Sequence, residues 1–323
     1  MPSLHTLNSP VLIVGTGAMA CLFAARLAAS GNEVMILGTW IEGMEALRTH
    51  GVRLIEEDGS VRSFPVQVVS DPVQCVQNNN FRRIGLALVL VKSWQTERAG
   101  KQLHACLDQA GLALTLQNGL GNYDVLVEKL GIDRVALGVT TTGATLVEAG
   151  LVKPVGSSTV SVGDHPRLNP MIDMLCDAGF QTEMISDMES LQWGKLVINA
   201  AINPLTALLR VPNGELLLRP SVRTLLSSIA IESATVAVSQ GIHLPYPDAV
   251  GAVESVAHQT ATNYSSMLRD VQRGASTEID AINAAIVRAG DRLSIPTPVN
   301  RTMWQLVKGI GEKDVNENNH NAT

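Results

Sequence analysis

A chain of 323 residues with 46% hydrophobic and 17% charged residues can build a core, which excludes a globally disordered chain and a coiled coil. Its net charge of -6, from 30 acidic and 24 basic residues, disfavours a nucleic-acid binder, because phosphate neutralisation needs a basic patch. The longest aliphatic run, residues 86–91, is far shorter than the roughly 20 residues that span a bilayer. Since residues 1–10 also lack the basic segment of a secretory signal, we expect a soluble cytoplasmic protein.

Strand and helix patterns alternate over the first half of the chain. The apolar run Val11–Val14 predicts a strand, and residues 18–30 predict a helix that ends at Gly31. The later elements predicted here are strands over 33–37, 86–91, 113–116 and 135–139, a helix over 41–49, and a hairpin around Asp58-Gly59 within 51–69. This order predicts a parallel sheet with right-handed crossovers.

Helical patterns dominate from about residue 186. They cover residues 186–203, 221–240, 249–263 and 276–293, after a bridging region with strand-like pieces at 151–162 and a helix at 168–177. We therefore predict an α/β chain with a Rossmann-type dinucleotide-binding domain over 1–185 and an all-α domain over 186–323. The last dozen residues, 312–323, are polar and asparagine-rich, which predicts a flexible tail.

A glycine turn joins the first predicted strand to the first predicted helix. It consists of Gly15, Thr16, Gly17, Ala18, Met19 and Ala20. In a dinucleotide-binding loop Gly15 makes the tight turn, Gly17 lets the backbone approach a pyrophosphate, and Ala20 allows close helix–strand packing. The helix N-terminus then faces the phosphates. A plain glycine turn is the alternative, but the position between two strands favours dinucleotide binding.

The second predicted strand ends in Gly38-Thr39-Trp40, which bears on the choice of cofactor. NAD-binding proteins usually carry an acidic residue at this tip for the ribose 2′-hydroxyl, and here no acid occurs before Glu42. A 2′-phosphate would not be repelled, and Thr39 could hydrogen-bond it. Although the tip also lacks an arginine, the sequence favours NADP.

A polar stripe runs along the otherwise apolar helix predicted after residue 186. Lys195, Asn199 and Asn203 are four residues apart and so lie in a row on one face. Burying polar groups without partners costs free energy, so the stripe is either a solvated face or the wall of a polar ligand pocket. The apolar residues around it favour the pocket.

A glutamate, Glu278, lies in the helix predicted over residues 276–293. The predicted core face of that helix consists of Ile279, Ile282, Ile286 and Leu293. This pattern sets Glu278 beside the buried edge. By composition alone a glutamate there is more often a capping or surface residue, and only its context indicates a functional role.

Six motifs in this order resemble those of the ketopantoate reductases (2-dehydropantoate 2-reductases), in the 6-phosphogluconate dehydrogenase-like group. They are the glycine loop, residues 90–95, residues 117–121, residues 193–195 with Asn199 and 202–207, residues 265–267, and residues 277–280. The resemblance covers about residues 10–310. It implies NADPH-dependent reduction of 2-dehydropantoate to pantoate, on the route to pantothenate and coenzyme A, in a cleft between a Rossmann and a helical domain.

The resemblance also implies roles for individual residues. Lys195 would be the catalytic general acid and Glu278 its partner. The substrate-side residues would be Asn118, Asn199, Asn203, Asn263 and Ser266. Lys92 and Asn118 would lie on the cofactor side. One departure stands out, because some members carry an arginine at the strand-2 tip, where this chain has Thr39.

The chemistry is consistent with these roles. Hydride transfer to a ketone leaves negative charge on the oxygen, and a protonated lysine supplies both a proton and a cation there. The alternatives are a sister reductase for another 2-keto acid and a non-catalytic NADP-binding sensor, which would not need the acid and its partner. Scattered histidines and cysteines predict no metal site. The resemblance implies a small 2-keto acid as the partner, we expect no nucleic-acid or membrane partner, and a homodimer is compatible with the sequence.

Overall fold

The computed structural model describes residues 10–78 and 83–312, which divide into two compact units. The first unit runs to Gln117 and resumes over Gly121–Met188. The second consists of Asn118–Leu120 and the described residues from Glu189 onwards. The predicted tail, apart from Glu312, lies outside the described residues.

Twelve strands in the described part of the chain form two sheets. They are β1 (Val11–Val14), β2 (Val34–Leu37), β3 (Val52–Ile55), β4 (Val61–Phe64), β5 (Gln67–Val69), β6 (Ile84–Val89), β7 (Leu107–Thr115), β8 (Val135–Thr140), β9 (Gly143–Glu148), β10 (Leu151–Val155), β11 (Thr159–Gly163) and β12 (Gln181–Ile185). The larger sheet has the order β5-β2-β1-β6-β7-β8-β11-β12 and the smaller one β4-β3-β10-β9.

The larger sheet is parallel from β5 to β8, as the sequence predicts. Strand β1 lies between β2 and β6, and the chain reverses direction across the sheet at this point. Strands β1 and β2 are buried along their whole length, which explains their unbroken apolar sequence. Ligands of such sheets bind at the carboxyl ends of the strands beside the reversal. The glycine loop, which follows the carboxyl end of β1, therefore lies where ligands of such sheets bind.

Six helices of the first unit are described. They are α1 (Ala18–Ala29), α2 (Ile41–His50), α3 (Pro72–Asn78), α4 (Thr96–Cys106), α5 (Asn122–Leu130) and α6 (Asn169–Asp177). Helix α1 packs against strands of both sheets, so it is apolar nearly all round. The hairpin predicted at Asp58-Gly59 is confirmed for β3 and β4, with Gly59 at φ 84°. Strand β5, which follows, pairs instead with β2 in the larger sheet.

The second unit is helical, which confirms the predicted fold class. Its described helices are α7 (Met188–Leu209), α8 (Pro220–Ser239), α9 (Ala249–Gln259), α10 (Ser266–Gln272), α11 (Asn283–Leu293) and α12 (Pro298–Gly311). Their apolar faces share one core, which includes Trp193, Val197, Leu226 and Ile286.

The helix predicted over residues 276–293 is wrong at its start. Helix α11 begins at Asn283, and the Glu278 carbonyl accepts hydrogen bonds from the backbone N–H groups of Ala281 and Ile282 in a turn. Ile279 and Ile282 lie in that turn and are buried, so their apolar spacing resembles that of a helix although no helix forms there. Leu293, assigned to the core face, is 40% exposed.

Helix α8 is the one helix within the described residues that is long and apolar enough to cross a membrane by length and composition. Core helices of soluble proteins meet the same criterion. Leu226, Ile229 and Val236 of α8 are fully buried in the core of the second unit. The length and composition of α8 are therefore only weak evidence for a membrane span.

Candidate functional site

The glycine loop of the first unit needs two glycines for different reasons. Gly15 has φ 131°, its N–H donates to the Leu37 carbonyl at 2.9 Å, and an added Cβ would lie 3.0 Å from the Leu90 carbonyl oxygen. Any side chain there would be strained. Gly17 is exposed, and an added Cβ would meet no described atom within 4 Å. The space beside Gly17 is therefore open to a ligand.

The N-terminus of α1 follows this open space. Gly17 is its N-cap, no described side chain caps it, and the first turn carries no acidic residue. Ala18 and Met19 are half-buried, while Ala20 is fully buried where the helix meets the sheet. The first-turn N–H groups and the positive end of the helix dipole can therefore bind a phosphate. The loop fits the pyrophosphate of a dinucleotide.

The tip of β2 carries an exposed hydroxyl. Thr39 is exposed, two residues after the end of β2, and Glu42 is exposed in the first turn of α2. Gly38 packs so closely on Thr16 that an added Cβ would lie 2.3 Å from Thr16 Cγ2. The close contact fixes the tip beside the glycine loop, with a neutral side chain at position 39.

Lys92 lies at the same edge of the sheet. It follows β6, whose neighbour is β1, and the Leu90 N–H donates to the Val14 carbonyl at 3.0 Å. Lys92 is half-buried and precedes the short 3-10 helix Ser93–Gln95. It therefore follows the strand next to the one that carries the glycine loop.

Asn118, predicted to serve both substrate and cofactor, belongs to the second unit. The segment Asn118–Leu120 is held there by a hydrogen bond from the Leu120 N–H to the Ala281 carbonyl at 2.9 Å. Asn118 Nδ2 lies 3.5 Å from Glu278 Oε2. Gly119 has φ 84°, and an added Cβ would lie 2.4 Å from the Ala281 oxygen. Only glycine allows this close approach.

Glu278 is buried, at 5% exposure, so it is neither a surface residue nor a helix cap. Its negative charge acts on Lys195, which is half-buried on α7. Burial lowers the pKa of Lys195 to about 8, and Glu278 opposes that shift by favouring the charged form. The ammonium of Lys195 is therefore acidic enough to donate a proton near neutral pH.

The polar stripe of α7 is not a solvated face. Lys195 and Asn199 are half-buried and Asn203 is buried, among the buried apolar residues Leu196, Val197, Ala200 and Ala201. The stripe therefore places one cation and two amides in a partly dry environment, as the pocket hypothesis expects.

The remaining predicted residues, Asn263 and Ser266, differ in their burial. Asn263 is half-buried, and its carbonyl accepts from the Asn213 N–H at 3.0 Å. Ser266 is exposed as the first residue of α10. The serine that turns inward is Ser265, which caps α10 by accepting from the Leu268 N–H and lies 2.7 Å from Thr206 Oγ1.

Sequence reasoning assigned no role to Asn213, nor to Ser265, although Ser265 lies in the motif over residues 265–267. Asn213 is buried, its Nδ2 donates to Thr260 Oγ1 at 2.8 Å, and its Oδ1 has no hydrogen-bond partner in the described chain. Asn213 lies in a short 3-10 helix outside the periodic patterns, so no spacing could point to it. For Ser265 the signal was present, because a serine before an apolar turn is a typical N-cap.

The two units together define a class of protein. The first has a Rossmann-like sheet with a loop that fits a dinucleotide, and the second places a lysine, a carboxylate and several amides together. A dinucleotide supplies hydride chemistry, and the polar set can bind and protonate a carbonyl compound. This combination is that of a dinucleotide-dependent oxidoreductase with a Rossmann-like fold.

Comparison with known proteins agrees with that class and narrows it. The family model described as "Ketopantoate reductase PanE/ApbA" matches residues 11–167, and its C-terminal counterpart matches residues 187–311. The chain therefore belongs to the ketopantoate reductase family. It is 35% identical to a 2-dehydropantoate 2-reductase of Archaeoglobus fulgidus over 308 residues, which cover 93% of this chain and 97% of the relative.

Solved structures show the same fold. A PanE/ApbA family ketopantoate reductase from Ralstonia eutropha has a TM-score of 0.85 and 30% identity, covering 94% of this chain and 98% of that one. A D-mandelate dehydrogenase solved with NADH and anilino(oxo)acetate has a TM-score of 0.85 and 25% identity, with the same coverage.

Proposed function

We propose that this chain reduces 2-dehydropantoate to pantoate with NADPH, and so acts in pantothenate and coenzyme A biosynthesis. The observation that carries the proposal is the Lys195–Glu278 pair, a lysine with a pKa of about 8 beside a buried carboxylate. Membership of the ketopantoate reductase family supports the choice of substrate.

Lys195 acts as the general acid in this proposal. Lys195 donates a proton to the carbonyl oxygen of the substrate as the 2-keto carbon is reduced, which gives the hydroxyl of the product. Bound NADPH would supply the hydride for that carbon. The neutral amine of Lys195 then regains a proton from water. Because its pKa is about 8, Lys195 is mostly protonated at neutral pH, yet its ammonium is more acidic than that of an ordinary lysine and gives up its proton more readily. Glu278 keeps the lysine charged before transfer and, with Asn118, fixes the position of the pair.

The amides and hydroxyls hold the substrate. We assign Asn118, Asn199, Asn203, Asn263 and Ser266 to its carboxylate and hydroxyl groups. Neutral donors are adequate here, because Lys195 already provides the cation that the developing oxyanion requires. Ser265 supports this wall from behind, since its hydroxyl contacts Thr206, whose Oγ1 lies 2.9 Å from the Asn203 carbonyl oxygen.

For the cofactor we propose NADPH, bound by residues 15–20 with Thr39, Lys92 and Asn118. The exposed neutral side chain of Thr39 supports NADPH, since an acid at that position would repel a 2′-phosphate. The ratio of kcat/KM for NADPH and NADH, measured with 2-dehydropantoate, tests this assignment. A ratio below one contradicts it.

A second candidate function is reduction of a different 2-keto acid. It is favoured by the likeness to the D-mandelate dehydrogenase, which has the same TM-score as the ketopantoate reductase structure. Steady-state assays compare 2-dehydropantoate with the 2-keto acid formed when mandelate is oxidised, at equal concentrations of NADPH and of NADH. The preferred substrate separates the two candidate functions. A non-catalytic sensor would bind the cofactor and turn over neither substrate.

We also propose a cytoplasmic location and a homodimeric assembly. Cell fractionation tests the location. Size-exclusion chromatography with light scattering tests the assembly, and a mass near 34.4 kDa would contradict the dimer.

A further inference from the structure

We infer that Asn283 positions the polar stripe of α7 by donating the backbone hydrogen bond that Pro204 cannot donate. The described hydrogen bonds of the Asn283 side chain go to the Ala200 carbonyl and to Asn300 rather than to the stripe, so its role is one of positioning. The effect expected on substrate binding rests on the proposed function. The hydrogen bond itself is tested independently of it.

The helix that carries Lys195 is continuous but lacks one backbone hydrogen bond. Pro204 lies inside α7, directly after Asn203, the last residue of the stripe. Proline has no N–H, so the Ala200 carbonyl four residues earlier loses its ordinary helical donor. Ala200 is fully buried, so water cannot replace that donor. The gap falls between Asn199 and Asn203.

Asn283 fills this gap from the start of α11. Its Nδ2 donates to the Ala200 carbonyl at 3.0 Å and to Asn300 Oδ1 at 3.1 Å. The side chain is fully buried, and its Oδ1 has no hydrogen-bond partner among the residues the structure describes. Both N–H groups are therefore used while the oxygen is not, so the position requires a donor rather than an acceptor.

The direction of donation is set further along the network. Asn300 Nδ2 donates to Glu232 Oε2 at 2.9 Å, and the Glu232 carboxylate also accepts from the backbone N–H groups of Val299 and Asn300. A carboxylate only accepts, so the Asn300 oxygen is left facing Asn283. A flipped Asn283 amide would oppose two oxygens, at Asn300 and at Ala200. The network therefore keeps the Nδ2 group of Asn283 pointing toward the Ala200 carbonyl of α7.

The expected functional consequence is a split between binding and chemistry. Lys195 and Asn199 lie at least five residues before Pro204, while Asn203 directly precedes it. Loss of the Asn283 donor leaves a buried carbonyl unpaired, which the helix relieves by shifting at Pro204. Asn203 then moves relative to Lys195. Substrate affinity falls while the acid keeps its place.

The test is a double-mutant cycle between Asn283→Ala and Pro204→Ala. Alanine at 204 restores the missing N–H, so it can satisfy the Ala200 carbonyl without Asn283. We expect Asn283→Ala to raise KM for 2-dehydropantoate at least tenfold with less than a threefold change in kcat, and to speed hydrogen exchange in a peptide covering residues 200–209. Both effects should return to within about threefold of wild type in the double variant.

Two further variants sharpen the cycle. Asn283→Leu keeps about the size of the side chain and removes the donor without adding an acceptor or a charge, and it replaces Asn283→Ala if that variant does not fold. Ser233→Ala is the matched control, because Ser233 contacts Asn300 at 3.4 Å and does not contact Ala200. Whatever Ser233→Ala costs, Pro204→Ala should not recover it.

Three outcomes overturn the inference. One is that Pro204→Ala restores neither the hydrogen exchange of residues 200–209 nor the KM of the Asn283→Ala variant. Another is a loss of maximal rate with KM unchanged, which is what simple destabilisation produces. The third is equal rescue of Ser233→Ala. If the wild type reduces no 2-keto acid, the proposed function fails by itself, and the exchange cycle alone decides whether Asn283 replaces the missing donor.

Discussion

Asn118 Nδ2 lies 3.5 Å from Glu278 Oε2, although 160 residues separate them in the sequence. The contact depends on Gly119, whose backbone lies against the Ala281 carbonyl in the same turn that carries Glu278. A short segment from the first half of the chain thus completes the polar set of the helical unit.

Gly119→Ala should separate Asn118 from Glu278. The added Cβ would lie 2.4 Å from a backbone oxygen, and φ 84° is strained for alanine, so the segment must move. Misplacement by about 1 Å can cost up to about 10²-fold in rate, so we expect a clear fall in kcat/KM. Gly131→Ala is the control, because Gly131 has φ 92° but no described atom near its added Cβ. Equal losses in both variants would mean that backbone strain alone is responsible.

Lys195→Ala should lower kcat about 10²–10⁴-fold, the usual contribution of a positioned acid. Affinity for the cofactor should change little, because the glycine loop belongs to the other unit. Steady-state turnover and a fluorescence titration with NADPH measure the two effects. Lys101→Ala, which removes an exposed lysine paired with Glu97, should leave both unchanged. Near-normal turnover in Lys195→Ala would remove this residue from the chemistry.

The rate should fall as pH rises through about 8, because Lys195 must be protonated to act as an acid and burial has lowered its pKa to that value. Glu278 favours the charged lysine, so Glu278→Gln should lower that pKa further and move the fall in rate to lower pH. The pH profile of kcat/KM for both proteins measures this. A shift to higher pH in Glu278→Gln would contradict the assigned pair.

Thr39→Asp should narrow or invert the preference for NADPH over NADH. A carboxylate at the tip of β2 would repel the 2′-phosphate and could bind the 2′-hydroxyl instead. Thr49→Asp is the matched control, since Thr49 is also exposed but lies near the far end of α2. The comparison uses kcat/KM for both cofactors. An unchanged ratio in Thr39→Asp would place the 2′-phosphate elsewhere.

The two loop glycines should respond differently to substitution. Gly17→Val should weaken NADPH binding strongly at nearly unchanged stability, because the valine would occupy open space and the backbone is already extended. Gly15→Ala should lower the free energy of unfolding by about 1–2 kcal/mol or more. The φ of 131° is strained for alanine, and the added Cβ would lie 3.0 Å from the Leu90 carbonyl oxygen. Urea unfolding and cofactor titration separate the two effects. Unaltered NADPH affinity in Gly17→Val would exclude the loop from the cofactor site.

The sequence by itself determined the features that depend on local periodicity. The run Val11–Val14 followed by Gly15 and Gly17 specifies a buried strand, a turn and a helix start, and all three form as predicted. The spacing of Lys195, Asn199 and Asn203 likewise determines that they share one face of α7, because a helix of known pitch leaves no other arrangement.

Only the tertiary structure decided which distant groups meet. Nothing local to Asn118 indicates that it packs in the helical unit, and apolar residues at 279, 282 and 286 predicted a helix where a turn precedes Asn283. Nor does the sequence around Pro204 show which side chain pairs with the Ala200 carbonyl. The contacts of Asn118 with Glu278 and of Asn283 with Ala200 join residues far apart in the chain. Their partners are selected by packing and by the need to satisfy buried polar groups, which a local pattern does not encode.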